Sequence, residues 1–260
     1  MASSAVAGLC QRCGGTGWVI EERDGLSAAA RCACLGATRV AEALEAAQIP
    51  PLYQQASFEN FALPKDNPIH NAAMAKVMVE VRGFTREFPA TDKPGLLFIG
   101  DPGVGKTHLA VATLRALIAK GFTGLFFDYQ NLLERIRSTY SELSGASDRE
   151  ALRQVLEAEI LLLDDLGAHR VTDWVEDTVT SIITSRCNYR KPTLITTNLA
   201  DADAGTDVLD RGVAPGSKTS YKTTLVERIG ARARSRIFEM CRVIRMPAVE
   251  DYRIRTSVRR

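Results

Sequence analysis

An eight-residue run with the sequence GDPGVGKT, Gly100 to Thr107, constrains the fold of this chain more than any other feature. A short apolar run, Leu96 to Ile99, precedes it, and an alanine- and leucine-rich segment follows it as far as Gly121. A buried strand, a glycine-rich turn and a helix in this order aim backbone N–H groups and a positive helix end at one anion. We therefore predict a phosphate-binding loop in which Lys106 bridges terminal phosphates and the Thr107 hydroxyl ligates Mg²⁺. The predicted nucleotide contacts are Gly100, Asp101, Pro102, Gly103, Val104, Gly105, Lys106, Thr107 and the helix-start residue His108.

Two further strand ends carry polar side chains. Four apolar residues, Ile160 to Leu163, run into Asp164 and Asp165, which is the pattern of a Walker B strand. Asp164 would hold Mg²⁺ through water, and Asp165 would orient or deprotonate the attacking water. The next predicted strand, Thr193 to Thr197, ends at Asn198, whose amide can hydrogen-bond both a γ-phosphate and that water. Because ligands of open α/β sheets bind at the carboxyl ends of strands, we expect these side chains to face the phosphate loop.

The composition is that of a globular protein of 260 residues, with 45% apolar and 25% charged residues. No apolar stretch is long enough to span a bilayer, and the first residues lack the pattern of a secretory signal. We therefore expect a cytoplasmic protein without a membrane partner, whose six cysteines stay reduced unless they hold metal. The net charge is +2, yet ten arginines and only four acidic residues lie from Glu227 onward. This basic segment indicates either an anionic partner or a solvated charged face.

Helical and strand patterns alternate along most of the chain. The predicted helices cover residues 36–48, 67–88, 108–120, 131–141, 149–157, 173–189 and 224–239. The predicted strands cover residues 96–99, 124–129, 160–163, 193–197 and 242–246, and residues 200–222 have the pattern of a loop. This alternation predicts an α/β fold with a parallel sheet covered on both faces. We divide the chain into a cysteine-rich helical module (1–48), a linker and helix (49–90) and a core (91–260).

Four of the six cysteines cluster near the N-terminus. Cys10 and Cys13 form a Cys-x-x-Cys knuckle, and Cys32 and Cys34 follow after an interval compatible with a two-stranded ribbon. Thiolates so placed can close a tetrahedral structural site, so we predict one Zn²⁺ held by all four. Four free cysteines or a redox pair are the alternatives. The other two cysteines are expected in the core.

Taken in order, the motifs GDPGVGKT, LLLDDLG and TTN resemble those of AAA+ ATPases. More narrowly, they resemble the DnaC/DnaI-type replicative helicase loaders and the IstB transposition helpers. The segment from Ile49 to Phe61 is similar to the one that precedes the ATPase core in those proteins. The resemblance implies a P-loop AAA+ core with a five-stranded parallel sheet and no helical lid, beside the small zinc-binding module. It also implies ATP and Mg²⁺ as cofactors, and slow hydrolysis because Asp165 stands where most of the family has glutamate.

The resemblance also implies an arginine finger in the helix before the last strand. Four arginines lie in that helix: Arg228, Arg232, Arg234 and Arg236. The family pattern favours Arg236, with Arg232 one helical turn earlier as the alternative. A finger is supplied by the neighbouring subunit, so the resemblance implies self-association across the ATP site. Near the C-terminus, Arg253 resembles the end of a closing Ser-Tyr-Arg motif, although Asp251 replaces the serine.

The function implied by the resemblance is an ATP-dependent loader that delivers a replicative helicase onto single-stranded DNA in DNA replication. The zinc-binding module would contact the helicase. Residues 131–141 and the following helix would meet the DNA through Arg135, Arg137 and Tyr140, although an ordinary amphipathic helix is an equal alternative. Two other functions stay open: an IstB-like transposition helper that binds target DNA, and a weakly catalytic ATP-binding adaptor.

Overall fold

The computed structural model describes residues 13, 18–23, 26–31, 33–65, 67–138, 147–168, 171–205, 209–210, 220–249 and 251 of the chain. Near the N-terminus, strands β1 (Trp18–Arg23) and β2 (Leu26–Arg31) form an antiparallel hairpin. Helix α1 (Ala33–Ala46) follows it. The hairpin agrees with the two-stranded ribbon expected between the two cysteine pairs.

Helices and strands alternate after a single 3₁₀ turn at Pro51–Tyr53. The helices are α2 (Pro68–Glu87), α3 (Lys106–Ala119), α4 (Tyr129–Ser138), α5 (Ser147–Glu157), α6 (Asp173–Asn188) and α7 (Leu225–Met240). The strands are β3 (Gly95–Ile99), β4 (Gly124–Asp128), β5 (Ile160–Asp164), β6 (Thr193–Thr197), β7 (Leu209–Asp210), β8 (Ser220–Tyr221) and β9 (Cys241–Arg245). Within these ranges, no helix is long and apolar enough to cross a membrane.

Five of these strands form one parallel sheet in the order β4-β5-β6-β3-β9, which confirms the predicted five-stranded parallel sheet. Strand β3 lies inside the sheet, between β6 and β9. Every residue of β3 and β6 is buried, as expected for central strands covered on both faces. Because all five strands run the same way, the segments that follow β3, β5 and β6 emerge together at one edge.

Two hydrophobic cores enclose the sheet. Side chains of α1, α2 and α3 pack on one face, and side chains of α4, α5, α6 and α7 pack on the other. Successive strand residues alternate between them, so that Leu96 and Phe98 join the first core and Leu97 joins the second. The result is a three-layer α/β/α arrangement that fixes the strand ends.

Helix α1 packs directly on the first of these cores. Its residues Val40, Ala43 and Leu44 contact the core, and Ala47 just beyond it is fully buried. The Ala47 carbonyl oxygen accepts a hydrogen bond of 2.8 Å from the backbone N–H of Phe126 in the outer strand β4. The division of the chain at residue 48 stays a prediction, but α1 shares its core with the sheet.

Two local features differ from the sequence prediction. Helix α7 is broken at Gly230, which has φ +77° and ψ 158°. A side chain at this position would collide with Glu176 of α6, so glycine permits both the bend and the close approach. The segment 200–222, expected to be a loop, contains the short pair β7–β8. Periodicity could not reveal a pairing of two-residue strands.

Candidate functional site

The phosphate-binding loop joins β3 to α3 and has the backbone that its glycines predict. Gly103 has φ +77°, and Gly105, the residue before α3, has φ +96°. A Cβ atom at Gly103 would collide with the Asp251 carboxylate, and one at Gly105 would collide with the Phe61 ring. Both positions therefore need glycine for conformation and for space. The amino end of α3 opens directly from this loop, which suits anion binding.

The Lys106 side chain is only 6% exposed and is held by oxygen acceptors. Its Nζ donates to the carbonyl oxygens of Gly100 at 2.8 Å and Asp101 at 2.7 Å. It also donates to Oδ1 of Asn198, at the end of β6. These three acceptors are neutral oxygens, and together they fix the ammonium in place beside the loop. The predicted phosphate ligand and the predicted Asn198 thus lie together.

Asp164, Thr107 and Thr196 form a hydrogen-bonded group beside the loop. The Thr107 hydroxyl donates to Oδ1 of Asp164 at 2.9 Å, and the Thr196 hydroxyl donates to the same oxygen at 2.6 Å. Burial raises the pKa of the Asp164 carboxyl, and the two hydroxyl hydrogen bonds oppose that rise. The two predicted metal ligands, Thr107 and Asp164, are therefore in direct contact. The sequence places Thr196 at the end of a predicted strand, but sequence reasoning gave it no role in the site.

Asp165 lies at a turn of left-handed backbone, with φ +57°. Its N–H donates to the Thr196 hydroxyl oxygen at 2.9 Å, and its Oδ1 accepts a hydrogen bond of 2.7 Å from Nδ2 of Asn198. Burial raises the pKa of the Asp165 carboxyl, and the nearby Lys106 ammonium lowers it in part. The Asn198 amide thus bridges a lysine on one side and the predicted general base on the other.

These side chains line a cavity of about 450 Å³, a volume suited to a small-molecule ligand. Leu52, Tyr53 and Asp128 also line it and were missed by sequence reasoning. The sequence could have indicated Asp128, because it lies near the carboxyl end of the predicted strand 124–129. In the structure it lies opposite Asp164 in the parallel pairing of β4 with β5. The donor set fits a magnesium nucleotide: N–H groups and an ammonium for phosphates, hydroxyl and carboxylate oxygens for Mg²⁺.

His108 lies at the start of α3 and contacts the segment from Ile49 to Phe61, which precedes α2 in the chain. Its Nε2 contacts the carbonyl oxygen of Ser57 at 2.9 Å, and its ring meets that of Phe61 edge-on, with the centroids 5.3 Å apart. Burial lowers the pKa of His108, and the Ser57 hydrogen bond opposes this. Farther along α3, Arg115 donates to the Ala56 carbonyl oxygen at 3.0 Å. The segment is therefore bound to the phosphate-loop helix at several points.

The arginines of α7 differ in their surroundings. Arg236 is bonded to Glu239 at 2.7 Å, and 43% of its side chain is exposed. Arg232 is exposed. Arg234 instead binds Asp201 through two nitrogens, at 2.6 and 2.7 Å. A carboxylate of the same chain therefore holds Arg234.

The predicted zinc ligands fall mostly outside the described residues. Cys10 and Cys32 lie outside them, and so does the side chain of Cys34. Cys13 is described and is buried. In the part of the chain that the structure covers, no group of three His, Cys, Asp or Glu side chains could hold a metal. The four-cysteine zinc site therefore stays a prediction.

Helix α4 has the amphipathic packing that was the alternative to a DNA-binding surface. Leu132, Leu133 and Ile136 are buried in the second core. The guanidinium of Arg135 lies over the Phe127 ring, 5.6 Å from its centroid. Tyr140 lies outside the described residues. Packing explains the apolar face, and contact with DNA stays a prediction for the polar face.

Comparison with known proteins gives consistent matches. The family model for IstB-like ATP binding protein matches residues 4–214. The replicative helicase loader DnaC of Escherichia coli (strain K12) is 27% identical over 150 residues, covering 58% of each protein. This chain therefore spans about 58% of the length of that relative.

Solved structures agree on the fold. The crystal structure of the DnaC helicase loader matches with 32% identity and a TM-score of 0.60, covering 76% of this chain and all of the other. The DnaI crystal structure matches in fold, with 22% identity and a TM-score of 0.56, covering 80% of this chain and 98% of the other. By its matching motifs, its parallel sheet and these similarities, the chain belongs to the IstB-like ATP-binding protein family, within the DnaC/IstB group of AAA+ ATPases.

Proposed function

We propose that this protein is an ATP-dependent loader that hydrolyses ATP slowly and delivers a replicative helicase onto single-stranded DNA. The observation that carries the proposal is the position of Asn198, hydrogen-bonded at once to Lys106 and Asp165. This is the arrangement needed to sense a terminal phosphate next to a general base. The 32% identity to the DnaC helicase loader supports the loading role over other uses of the fold.

Each residue of the site has a chemical role in this proposal. Bound ATP would supply the γ-phosphoryl group, and Mg²⁺ would supply positive charge beside it. Lys106 would hold the terminal phosphates, while Thr107 and Asp164 would hold the metal. Asp165 would accept a proton from the attacking water, and its raised pKa makes it a better base than an ordinary aspartate. Asn198 would orient the same water through its amide.

Self-association across the ATP site would complete this machinery. Arg236 is bonded to an exposed carboxylate of its own helix, Glu239, and its side chain is 43% exposed. An exposed ion pair of this kind contributes little free energy, so Arg236 can leave it at low cost. In a neighbouring copy, its guanidinium would then neutralise charge on the transferring phosphoryl group. We assign the finger to Arg236, with Arg232 as the alternative.

The remaining parts of the proposal concern macromolecular partners. The polar face of α4, with Arg135 and Arg137, would meet single-stranded DNA. A structural Zn²⁺ held by the four N-terminal cysteines would shape the module that contacts the helicase. Both assignments rest on the family resemblance and on residue chemistry.

A transposition helper is the second candidate, favoured by the match of residues 4–214 to the IstB-like family model. Co-purification of the host replicative helicase, with and without ATP, separates the two. Retention of the helicase supports the loader. Recovery of a transposase, with no helicase retained, would support the second candidate instead.

Substitution of Lys106 tests the shared ATP site. Lys106→Ala should abolish binding of ATP, because it removes the positive charge that the loop directs at the phosphates. Lys120→Ala is the matched control: this lysine also donates to two carbonyl oxygens, of Thr85 and Arg86, but lies at the other end of α3. Titration with a fluorescent ATP analogue measures both. Unchanged affinity in the Lys106 variant would reject the ATPase proposal.

A further inference from the structure

An ion pair between Arg234 and Asp201 joins helix α7 to the chain that follows β6. Nε of Arg234 lies 2.6 Å from one Asp201 oxygen, and Nη2 lies 2.7 Å from the other. The Asp201 side chain is 3% exposed and that of Arg234 is 22% exposed. Burial raises the pKa of the Asp201 carboxyl, but the Arg234 guanidinium outweighs this and lowers it overall. The planar two-point contact fixes one relative geometry of the two segments.

Other contacts restrict the same pair. Nη2 of Arg234 also binds Asp203 at 2.5 Å, and its guanidinium lies 4.4 Å from the centroid of the Phe238 ring. Oδ1 of Asp201 accepts the N–H groups of Asp203 at 3.1 Å and Ala204 at 3.3 Å. The carboxylate and the guanidinium are thus each held by several partners, which limits their motion.

On one side, the pair is close to the nucleotide site. Asp201 lies three residues after Asn198, in what we name the exit segment, residues 198–205. This segment starts from Thr197, whose hydroxyl donates to the Leu166 carbonyl oxygen at 2.8 Å. Leu166 directly follows Asp165. A shift of Asp201 would therefore displace Asn198 and the turn that contains Asp165.

On the other side, the ion pair holds the second part of α7, residues 231–240, which follows the break at Gly230. The first part is attached by the Leu225 N–H, which donates to the Ala200 carbonyl oxygen at 2.9 Å. The break at Gly230 separates the two parts, so that attachment does not by itself position the second part. Arg234 lies beyond the break, two residues before Arg236. It ties the part of the helix that carries Arg236 to the exit segment.

We propose that Arg234 and Asp201 are positioning residues that couple the exit segment of one chain to Arg236, which acts in the ATP site of the neighbouring copy. The inference rests on the proposed function, and it adds the contact that sets where the finger lies. The ion pair holds the part of α7 that carries Arg236 against the exit segment, so loss of the pair displaces the finger. Neither Arg234 nor Asp201 lines the cavity described for the nucleotide.

A subunit-mixing experiment tests this coupling. Arg236→Ala chains retain their own phosphate loop, and Lys106→Ala chains supply an intact finger, so a mixture should regain ATP turnover. The test chain is the double variant Lys106→Ala/Arg234→Gln, whose finger helix has lost its tie. Mixed with Arg236→Ala, it should restore about tenfold less turnover than Lys106→Ala alone does, because the finger is misplaced.

The matched control chain is Lys106→Ala/Arg242→Gln. Arg242 is also paired with a carboxylate, Glu87 at 3.5 Å, and lies over a phenylalanine ring at 6.0 Å. It is the second residue of β9, at the end of the sheet away from the site. This control should restore turnover as fully as Lys106→Ala. If Arg234→Gln unfolds at a lower temperature than the wild-type chain, the test is repeated with two milder variants. Asp201→Asn keeps the side-chain shape, and Arg234→Lys keeps the charge.

The outcomes separate the inference from the proposed function. No ATP turnover by the wild-type chain would reject the function itself. Wild-type turnover without restoration by Lys106→Ala would overturn the coupling, because no finger then acts between copies. Equal restoration by the Arg234 and Arg242 double variants would also overturn it. The inference is supported if restoration of turnover is lost only when the Arg234–Asp201 pair is broken, while Arg234→Gln binds an ATP analogue with unchanged affinity.

Discussion

The Thr196 hydroxyl joins the Asp164 carboxylate to the backbone of Asp165, and Thr196→Val removes it without changing the side-chain volume much. The residue is 1% exposed, so valine fills the same space and leaves no cavity. Two hydrogen bonds disappear: the donation to Asp164 at 2.6 Å and the acceptance from the Asp165 N–H at 2.9 Å. A bond to a charged group contributes about 1.5–3 kcal/mol, and a buried donor left without a partner costs about 1–3 kcal/mol.

The lower part of these ranges applies here. Asp164 keeps its hydrogen bond from Thr107, and Asp165 is only partly buried. We therefore expect Thr196→Val to lower the free energy of unfolding by about 2–3 kcal/mol near neutral pH. Urea denaturation followed by circular dichroism measures this as a midpoint shift of about 1 M.

The pH dependence of this loss has a definite sign. Burial raises the pKa of Asp164 above its ordinary 3.8, so the charged carboxylate is less stable in the folded chain than in the unfolded one. The contribution of Asp164 to the free energy of unfolding therefore falls as pH rises through the raised pKa. The Thr196 hydroxyl limits that effect because it bonds the charged form. The valine variant should therefore lose most stability at about pH 8 and clearly less at about pH 4, where Asp164 becomes protonated.

Thr113→Val is the control for this measurement. Thr113 is fully buried, and its hydroxyl donates to the Leu109 carbonyl oxygen at 2.8 Å within α3. No carboxylate is involved, so its loss should be about 1 kcal/mol and independent of pH. A Thr196→Val loss below about 0.5 kcal/mol at pH 8 would refute the argument, and so would a loss that is equal at both pH values.

Three further predictions concern other parts of the chain. Asp251→Ser removes a carboxylate that lies against Gly103, so an ATP analogue should bind about two- to fivefold more tightly in a fluorescence titration, and unchanged binding would contradict this. Arg186→Leu removes a fully buried guanidinium that donates to three carbonyl oxygens and one hydroxyl, so urea denaturation should show a loss of about 2–4 kcal/mol; a smaller loss would mean that the carbonyls find other donors. Protein purified without chelator should contain one zinc per chain by elemental analysis, lost when Cys10 and Cys13 are both changed to serine; zinc retained by that variant would reject the site.

The sequence was most informative where a motif and a strand occur together. Gly100–Thr107, Asp164 and Asn198 each follow or end a predicted strand, and this order predicted that they would meet, because parallel strands end at the same edge. The partner of Arg234 could not be predicted, because Asp201 is distant along the chain and periodicity contains no information on such pairs. The break at Gly230 was hidden for a similar reason: it depends on the closeness of another helix.

The hydrogen bond from Phe126 to the Ala47 carbonyl has a consequence for how this protein can be shortened. Strand β4 is an outer strand, and the backbone groups on the outer edge of such a strand offer a template to which another chain can add. A fragment starting at residue 49 would expose that edge together with the apolar surface that Val40 and Leu44 cover. Such fragments should aggregate edge to edge, so a well-behaved truncated ATPase would have to begin before Ala33 and not at the linker.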